Sequence, residues 1–323
     1  MTGKRNNRML TFFLIALGVV IALVFVADFI STRPDKQEAN PYAYDMKSQT
    51  AVDEALILYR ETRQLKLPME NLTAISYARG VLMVSGDRRL IRLDPGGKLL
   101  KEIPLDFEPF TFLEAQGYYY VSGGREVTIL DSAGVKTGSF AGLDTSSFIT
   151  SLDVAEGKIF AADAGRRVVH RFAPDGTKEL EFEGKTGEGT AHGFIVPSPC
   201  FSLAVSPYGD LWVVNPGKHA LEEYTHDGVL RGFWAASIPG TEGFGGCCNP
   251  ARIAFLPDGN LITSEKGVLR VKVYKPSGEL VGVVAPPSAF VEDQKVSDIT
   301  ADEEGRIYLL DPEKKMIRVF EKK

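Results

Sequence analysis

GDLWVVNPGKHALEEYTHDG, Gly209–Gly228, opens on a glycine, runs through an apolar strand and breaks at Asn215-Pro-Gly-Lys. It then resumes as an alternating strand and closes on a His-Asp-Gly turn. Two more stretches follow the same plan with the same nineteen-residue separation of glycines, Gly157 to Gly176 and Gly259 to Gly278. Apolar runs and period-two alternation between turn residues are the pattern of strands. Recurrence at a fixed period is the pattern of a repeat architecture.

Outward from these copies, further strands open at Gly80, Gly117 and Gly305, so six units follow one another at spacings of 37 to 52 residues. Those spacings suit a four-stranded propeller blade. A strand before each glycine supplies the innermost position, as in Ile149–Val154, Phe201–Val205 and Arg252–Leu256. The last unit ends at Lys323 after its third strand, and a bare edge there would invite aggregation. The segment Ile57–Leu67 (ILYRETRQLKL) has the composition of a strand and is expected to complete that blade and close the ring. The expected fold is all-β, a six-bladed β-propeller over residues 57–323.

The pattern Pro-x-Gly, an apolar strand ending in Asp or Asn, a gap, then an alternating strand and an (Asp/Ser)-Gly turn is similar to the NHL repeat. Its clearest copies are Pro207–Asn215 and Pro257–Glu265. The resemblance covers about residues 57–323 and implies a six-bladed NHL-type propeller. The block Gly243–Tyr274 (GFGGCCNPARIAFLPDGNLITSEKGVLRVKVY) also resembles membrane-anchored bacterial NHL proteins of undefined role, which implies a location more than an activity.

Before the repeats, Met9–Ala27 (MLTFFLIALGVVIALVFVA) carries no charge and is long enough to cross a hydrocarbon core as a helix. Lys4, Arg5 and Arg8 precede it, so the N-terminus is expected in the cytoplasm and the rest outside it. A cleaved signal peptide is the rival, but the apolar run exceeds the usual length and no small-x-small cleavage site follows. The organisation expected is a basic tail (1–8), a single-pass signal anchor in the inner membrane (9–30), a polar linker (31–56) and an extracytoplasmic propeller. Residues 49–59 hold the one other helical turn expected before the β-rich body. Net charge is −5 despite the basic tail, and an acidic body repels phosphate backbones, which argues against nucleic acid as a partner.

Two long connections, 184–200 and 234–252, join the outer strand of one blade to the inner strand of the next and so share a face. Long loops on a rigid scaffold are where function concentrates. The candidate binding residues lie there or beside them: His192, Phe194, Cys200, His219, Trp234, Phe244, Cys247, Cys248, Asn249 and Arg252. Repeat register brings Cys200 and Cys248 to nearly one level beside the axis. In an exported domain a disulfide is expected, either Cys247–Cys248 or Cys200 with one of that pair. It would serve as a structural staple or as a rigid apolar platform at a binding site; a redox or metal-binding thiol site and inert thiols are the other readings.

Asp163, Asn215, Glu265 and Asp311 recur at one repeat position, where such side chains satisfy turn amides. Arg166, Lys218 and Lys266 follow them as a basic rim that could receive an anionic ligand. Of the other histidines, His170 reads as a strand residue and His226 as part of a turn. Gly-x-Ser-x-Gly, phosphate-loop and His-Glu-x-x-His patterns are absent, so no catalytic residue, metal ligand or cofactor is assigned. The leading expectation is a binding or scaffold module for a protein or small ligand. The rivals are a metal-dependent hydrolase or lyase using the axial channel, with His192, His219 and Asp163 or Glu265 as imaginable ligands, and an accessory subunit of a membrane redox complex.

Overall fold

The computed structural model describes residues 3–31, 50–184, 193–238, 240–291, 294–296 and 298–323. The chain divides into two compact units, Met1–Asp45 and Met46–Lys323. In the first, α1 (Gly3–Ser31) includes the apolar stretch Met9–Phe29, whose side chains are exposed around the whole helix. A helix apolar on every side suits a lipid surrounding, and its length and composition fit a membrane span or a signal sequence.

The second unit is a ring of six four-stranded antiparallel sheets. It opens with β1 (Tyr59–Lys66). Blade one holds β2 (Leu72–Ala78), β3 (Val81–Gly86), β4 (Arg89–Leu93) and β5 (Leu99–Pro104). Blade two holds β6 (Thr111–Ala115), β7 (Tyr118–Ser122), β8 (Val127–Leu130) and β9 (Lys136–Ser139). Blade three holds β10 (Ile149–Ala155), β11 (Lys158–Asp163), β12 (Val168–Phe172) and β13 (Lys178–Phe182). Blade four holds β14 (Leu203–Val205), β15 (Leu211–Asn215), β16 (Ala220–Tyr224) and β17 (Leu230–Ala235). Blade five holds β18 (Arg252–Phe255), β19 (Leu261–Ser264), β20 (Val271–Tyr274) and β21 (Leu280–Ala285). Blade six holds β22 (Asp298–Ala301), β23 (Ile307–Asp311) and β24 (Met316–Lys322), and its fourth strand is β1.

The strand expected over 57–67 therefore closes the ring, pairing Arg60 with Glu321 and Gln64 with Arg318. Just before it, Glu54–Leu56 form a 3₁₀ turn capped by Asp53, whose Oδ1 accepts the Ala55 N–H at 2.9 Å. The Leu58 N–H then donates to the Val283 carbonyl at 3.2 Å, which lays the incoming chain against β21.

Each blade interface is filled by its own apolar cluster. At the closure, Leu72, Val84 and Ile91 of blade one meet Tyr308, Leu310 and Ile317 of blade six. Phe160, Val169, Phe201 and Val213 fill the interface between blades three and four. A blade inside a ring is covered on both faces, so its middle strands are buried throughout, as in Leu211–Asn215.

Both glycines of each nineteen-residue pair have positive φ, and the closing one is crowded as well. Gly209 has φ +91° at the turn between β14 and β15, a conformation that other residues adopt only with strain. Gly228, between β16 and β17, lies against the Phe182 ring, where a Cβ would come within 2.5 Å. Gly278 meets Trp234 in the same way at 2.8 Å. The outer-strand aromatic of one blade thus fixes the turn of the next.

Candidate binding face and channel

The connections between blades and the turns between second and third strands emerge together on what we call the upper face. Around it, blades three to six repeat one buried device. The residue ending the second strand (Asp163, Asn215, Glu265, Asp311) meets a polar residue on the third strand (His170, Glu222, Lys272, Arg318), and all eight are buried. The pairs secure the chain arriving from the previous blade. Asp163 Oδ1 accepts the Phe148 N–H (2.9 Å) and the Arg166 N–H (3.0 Å), while its Oδ2 lies 3.1 Å from His170 Nε2. Burial alone would raise the Asp163 carboxyl, but hydrogen bonds from His170, Phe148, Arg166 and Ser147 outweigh it and hold it at about 2.

In blade four, Asn215 Oδ1 accepts the Ile195 N–H (2.9 Å), and its Nδ2 donates to Gly193 O (3.0 Å) and Glu222 Oε1 (2.9 Å). In blade six, Asp311 Oδ1 accepts from Lys314 N–H and Gln294 Nε2, both at 3.0 Å, and Arg318 Nη1 donates to Ala289 O at 3.0 Å. The turn amides expected as partners of this repeat position are those of Arg166 and Lys314. The hold on the incoming connection is the part that sequence did not show.

Blade five carries the strongest version. Glu265 lies 2.8 Å from Arg270 Nη2 and 2.9 Å from Lys272 Nζ, with all three side chains fully buried. The remaining donors reach the 234–252 connection: Arg270 Nη1 to Gly240 O (2.9 Å), and Lys272 Nζ to Thr241 O (3.0 Å) and Gly243 O (2.7 Å). Lys272 also sits over the Phe244 ring, 4.8 Å from its centroid. Burial brings the Lys272 ammonium down to about 8; Glu265 opposes that shift and Arg270 adds to it.

Beyond Phe244 the connection turns through Cys247 and Cys248. Cys247 is exposed, Cys248 is buried with φ +66°, and their sulfurs are 2.8 Å apart as free thiols. Asn249 fixes the turn: its Nδ2 donates to Gly245 O (2.6 Å) and Lys266 O (2.9 Å), and its Oδ1 accepts the Lys266 N–H (2.8 Å). Lys266 Nζ donates to Ser198 Oγ at 2.8 Å, tying this turn to the preceding inter-blade connection. Cys200, two residues on from Ser198, acts electrostatically on Cys247. The Cys248 sulfur pushes the Cys247 thiol above its ordinary value.

Inside the ring the six innermost strands enclose a channel of about 410 Å³. These neighbouring strands are not paired with one another, so their inward amides need side-chain acceptors. Ser151 Oγ accepts the Leu203 N–H (3.2 Å), Ser202 Oγ the Ile253 N–H (3.4 Å) and Asp298 Oδ2 the Ile75 N–H (2.9 Å). Each acceptor serves the next blade round the ring. Asp153 does the same one level deeper, accepting the Val205 N–H at 2.7 Å. Enclosure by the strands raises the Asp153 carboxyl to about 6 despite hydrogen bonds from Val205 and Val154. Arg252, at the register of Ser202, turns its Nε towards Asp298 Oδ1 (3.6 Å) and lines the channel mouth.

The residues singled out from sequence separate into three groups. Arg252 lines the channel, while Cys247, Cys248 and Asn249 form the turn that Lys266 ties to Ser198, two residues before Cys200. Phe194 and Phe244 are core residues: Phe194 packs on Phe201 and Tyr224, and Phe244 on Trp234 and Tyr274. Trp234 belongs with them, and His219 adopts φ +52° to end a 3₁₀ turn at Pro216–Lys218. His192 and the rest of residues 185–192 of this connection lie outside the described residues. Among the described residues no three or more His, Cys, Asp or Glu side chains are grouped to hold a metal. Asp163 and Glu265, the carboxylates imagined for one, are committed to His170 and to Arg270 and Lys272.

The rim cations are partly committed as well. Arg166 forms two bonds to Glu181, 2.6 and 3.0 Å, and Lys266 is engaged by Ser198. Sequence reasoning missed Arg270, Lys272, Asp153 and Asp298. A signal for the buried device was present, since His170, Glu222, Lys272 and Arg318 are spaced as the blades are.

No protein-family model and no curated protein matches the sequence. Among solved structures the chain is similar to a streptogramin B lyase, at 14% identity over 84% of this chain and 100% of that one, with a TM-score of 0.59. It is also similar to virginiamycin B lyase from Staphylococcus aureus, at 15% identity over 78% and 82% of the two chains, TM-score 0.53. A third is the WD40 β-propeller domain of Doa1, at 14% identity over 78% and 79%, TM-score 0.51. At these identities the likeness is one of fold.

Proposed function

We propose that the chain is an NHL-type propeller, tethered to a membrane by α1 and held outside the cytoplasm, that binds a protein or small ligand on its upper face. One observation carries the reading. Two inter-blade connections are tied to each other through Lys266, whose Nζ reaches Ser198 on one while its backbone is held by Asn249 on the other. A rigid, concave, mixed polar and apolar rim is what a recognition site requires. The exposed Ile195, on the same connection as Ser198, adds apolar surface. The membrane tether is supported by the length and composition of α1 and by the basic residues ahead of it.

Photo-crosslinking separates the faces. A reactive residue placed at Ile195 or Cys247 on the upper face should capture the same partner. One placed at Tyr208 or Val229, both exposed on turns of the opposite face, should capture none. Capture from Tyr208 and Val229 alone would overturn the assignment. Deleting the 236–246 segment is a poor test, because it would strand the buried Arg270 and Lys272.

A further inference from the structure

The turn bearing Cys247 and Cys248 is held from three sides. Asn249 fixes the backbone on both sides of it, through Gly245 O and through the amide and carbonyl of Lys266. Phe244, 1% exposed, anchors the chain leading in, and Lys272 Nζ holds the Gly243 carbonyl beneath it. On this support the two thiols differ in access. Cys247 is exposed, and Cys248 is 2% exposed with its sulfur in contact with that of Cys247.

Thiol–disulfide exchange needs that division: one sulfur that an incoming disulfide can reach, and a second, shielded from the incoming molecule, already beside the first. We propose that Cys247–Cys248 is a dithiol–disulfide exchange site acting on the disulfide of a protein or a small thiol compound. Cys247 is the attacking sulfur and Cys248 the resolving one. The Cys247 thiolate attacks one sulfur of the incoming disulfide, forming a mixed disulfide and expelling one thiolate. The Cys248 thiolate then attacks Cys247 Sγ, expels the second and closes the Cys247–Cys248 bond. Two electrons pass from the cysteine pair to the incoming disulfide, and the two thiol protons end on the two released thiols. The buried Cys200 stays reduced beside the pair. The inference stands on the geometry of the turn and is independent of whether the upper face binds a partner.

The test is equilibration of the full-length chain, purified in detergent, in buffers of graded reduced and oxidised glutathione. Acid quenching, alkylation and peptide mass mapping then read each cysteine. The expected result is a peptide carrying Cys247 and Cys248 that loses both alkyl groups together as the buffer becomes oxidising and is then two hydrogens lighter than the free dithiol, with Cys200 alkylated throughout. Cys200→Ser should leave that transition in place, and Cys248→Ser should stop at Cys247 bearing one glutathione. Three outcomes overturn the proposal: both thiols alkylated at every ratio, a bond that includes Cys200, or a wild-type chain that stops at the mixed disulfide. Should Cys248→Ser fail to fold, the wild-type and Cys200→Ser titrations decide alone.

Discussion

Lys272 is an ammonium buried between two aromatic rings, a carboxylate and two carbonyls, and its free energy of burial depends on pH. Its folded value of about 8 lies below its ordinary 10.5. Below about pH 8 the group is charged in both states. Between 8 and 10.5 the folded chain has released the proton and the unfolded chain still holds it, so this group adds stability as pH rises. Buried tyrosines such as Tyr224, whose hydroxyl burial pushes up, oppose the trend from about pH 10. Lys272→Met is expected to cost about 2–4 kcal/mol near neutrality, because the Thr241 and Gly243 carbonyls lose their donor. Denaturant unfolding at pH 8 and 9.5 checks both points: wild type should gain relative to the variant over that window, and equal pH slopes would contradict the assignment. Asp153 carries the opposite sign. Its carboxyl is raised to about 6 from 3.8, so stability it supplies at low pH is lost as pH rises from about 4 to 6. Asp153→Asn should flatten that part of the stability profile by about 1 kcal/mol, discounted for water in the channel.

At the level of elements, β1 decides whether the last blade has an edge. It pairs with β24 along nearly its whole length, and Glu61 receives Arg318 Nη2 at 2.6 Å across that pairing. A chain beginning at Met46 keeps the 3₁₀ turn and β1, and is expected to unfold in one cooperative transition as a monomer. A chain beginning at Pro68 leaves the outer edge of β24 open and should associate through that edge, which size-exclusion chromatography with light scattering reads directly. Monomeric behaviour of both would show that closure by β1 is dispensable. The strands themselves were legible because backbone constraints choose the residue: Gly209 for its φ, Gly228 and Gly278 for their φ and for the aromatic rings against them. The buried charges were not legible. The alternation in Leu269-Arg-Val-Lys-Val-Tyr reads as one apolar and one solvated face, but a blade inside a ring has no solvated face, and Arg270 and Lys272 are both buried. Phe194 and Phe244 misled for a related reason. Aromatic side chains on long connections suggest a pocket, and here they are the means by which the connections are fastened to the core.

For the whole molecule, the repeat that builds the ring also sorts its two ends. Short turns occupy one face; the long connections, the fastened cysteine turn and the Arg252 side of the channel mouth occupy the other. Sequence register was sufficient to put the two long connections on one face, because every blade enters its inner strand at the same level. The chemistry of a ligand was not legible in it, since the side chains that distinguish the face differ from blade to blade and repeat nothing. Hydroxyl-radical footprinting in native membranes, set against the purified chain, tests the claim for that face most directly. The account predicts protection of Ile195 and Cys247 in the membrane, with Tyr208 and Val229 oxidised equally in both preparations. Protection of Tyr208 and Val229 with the upper face unchanged would contradict it.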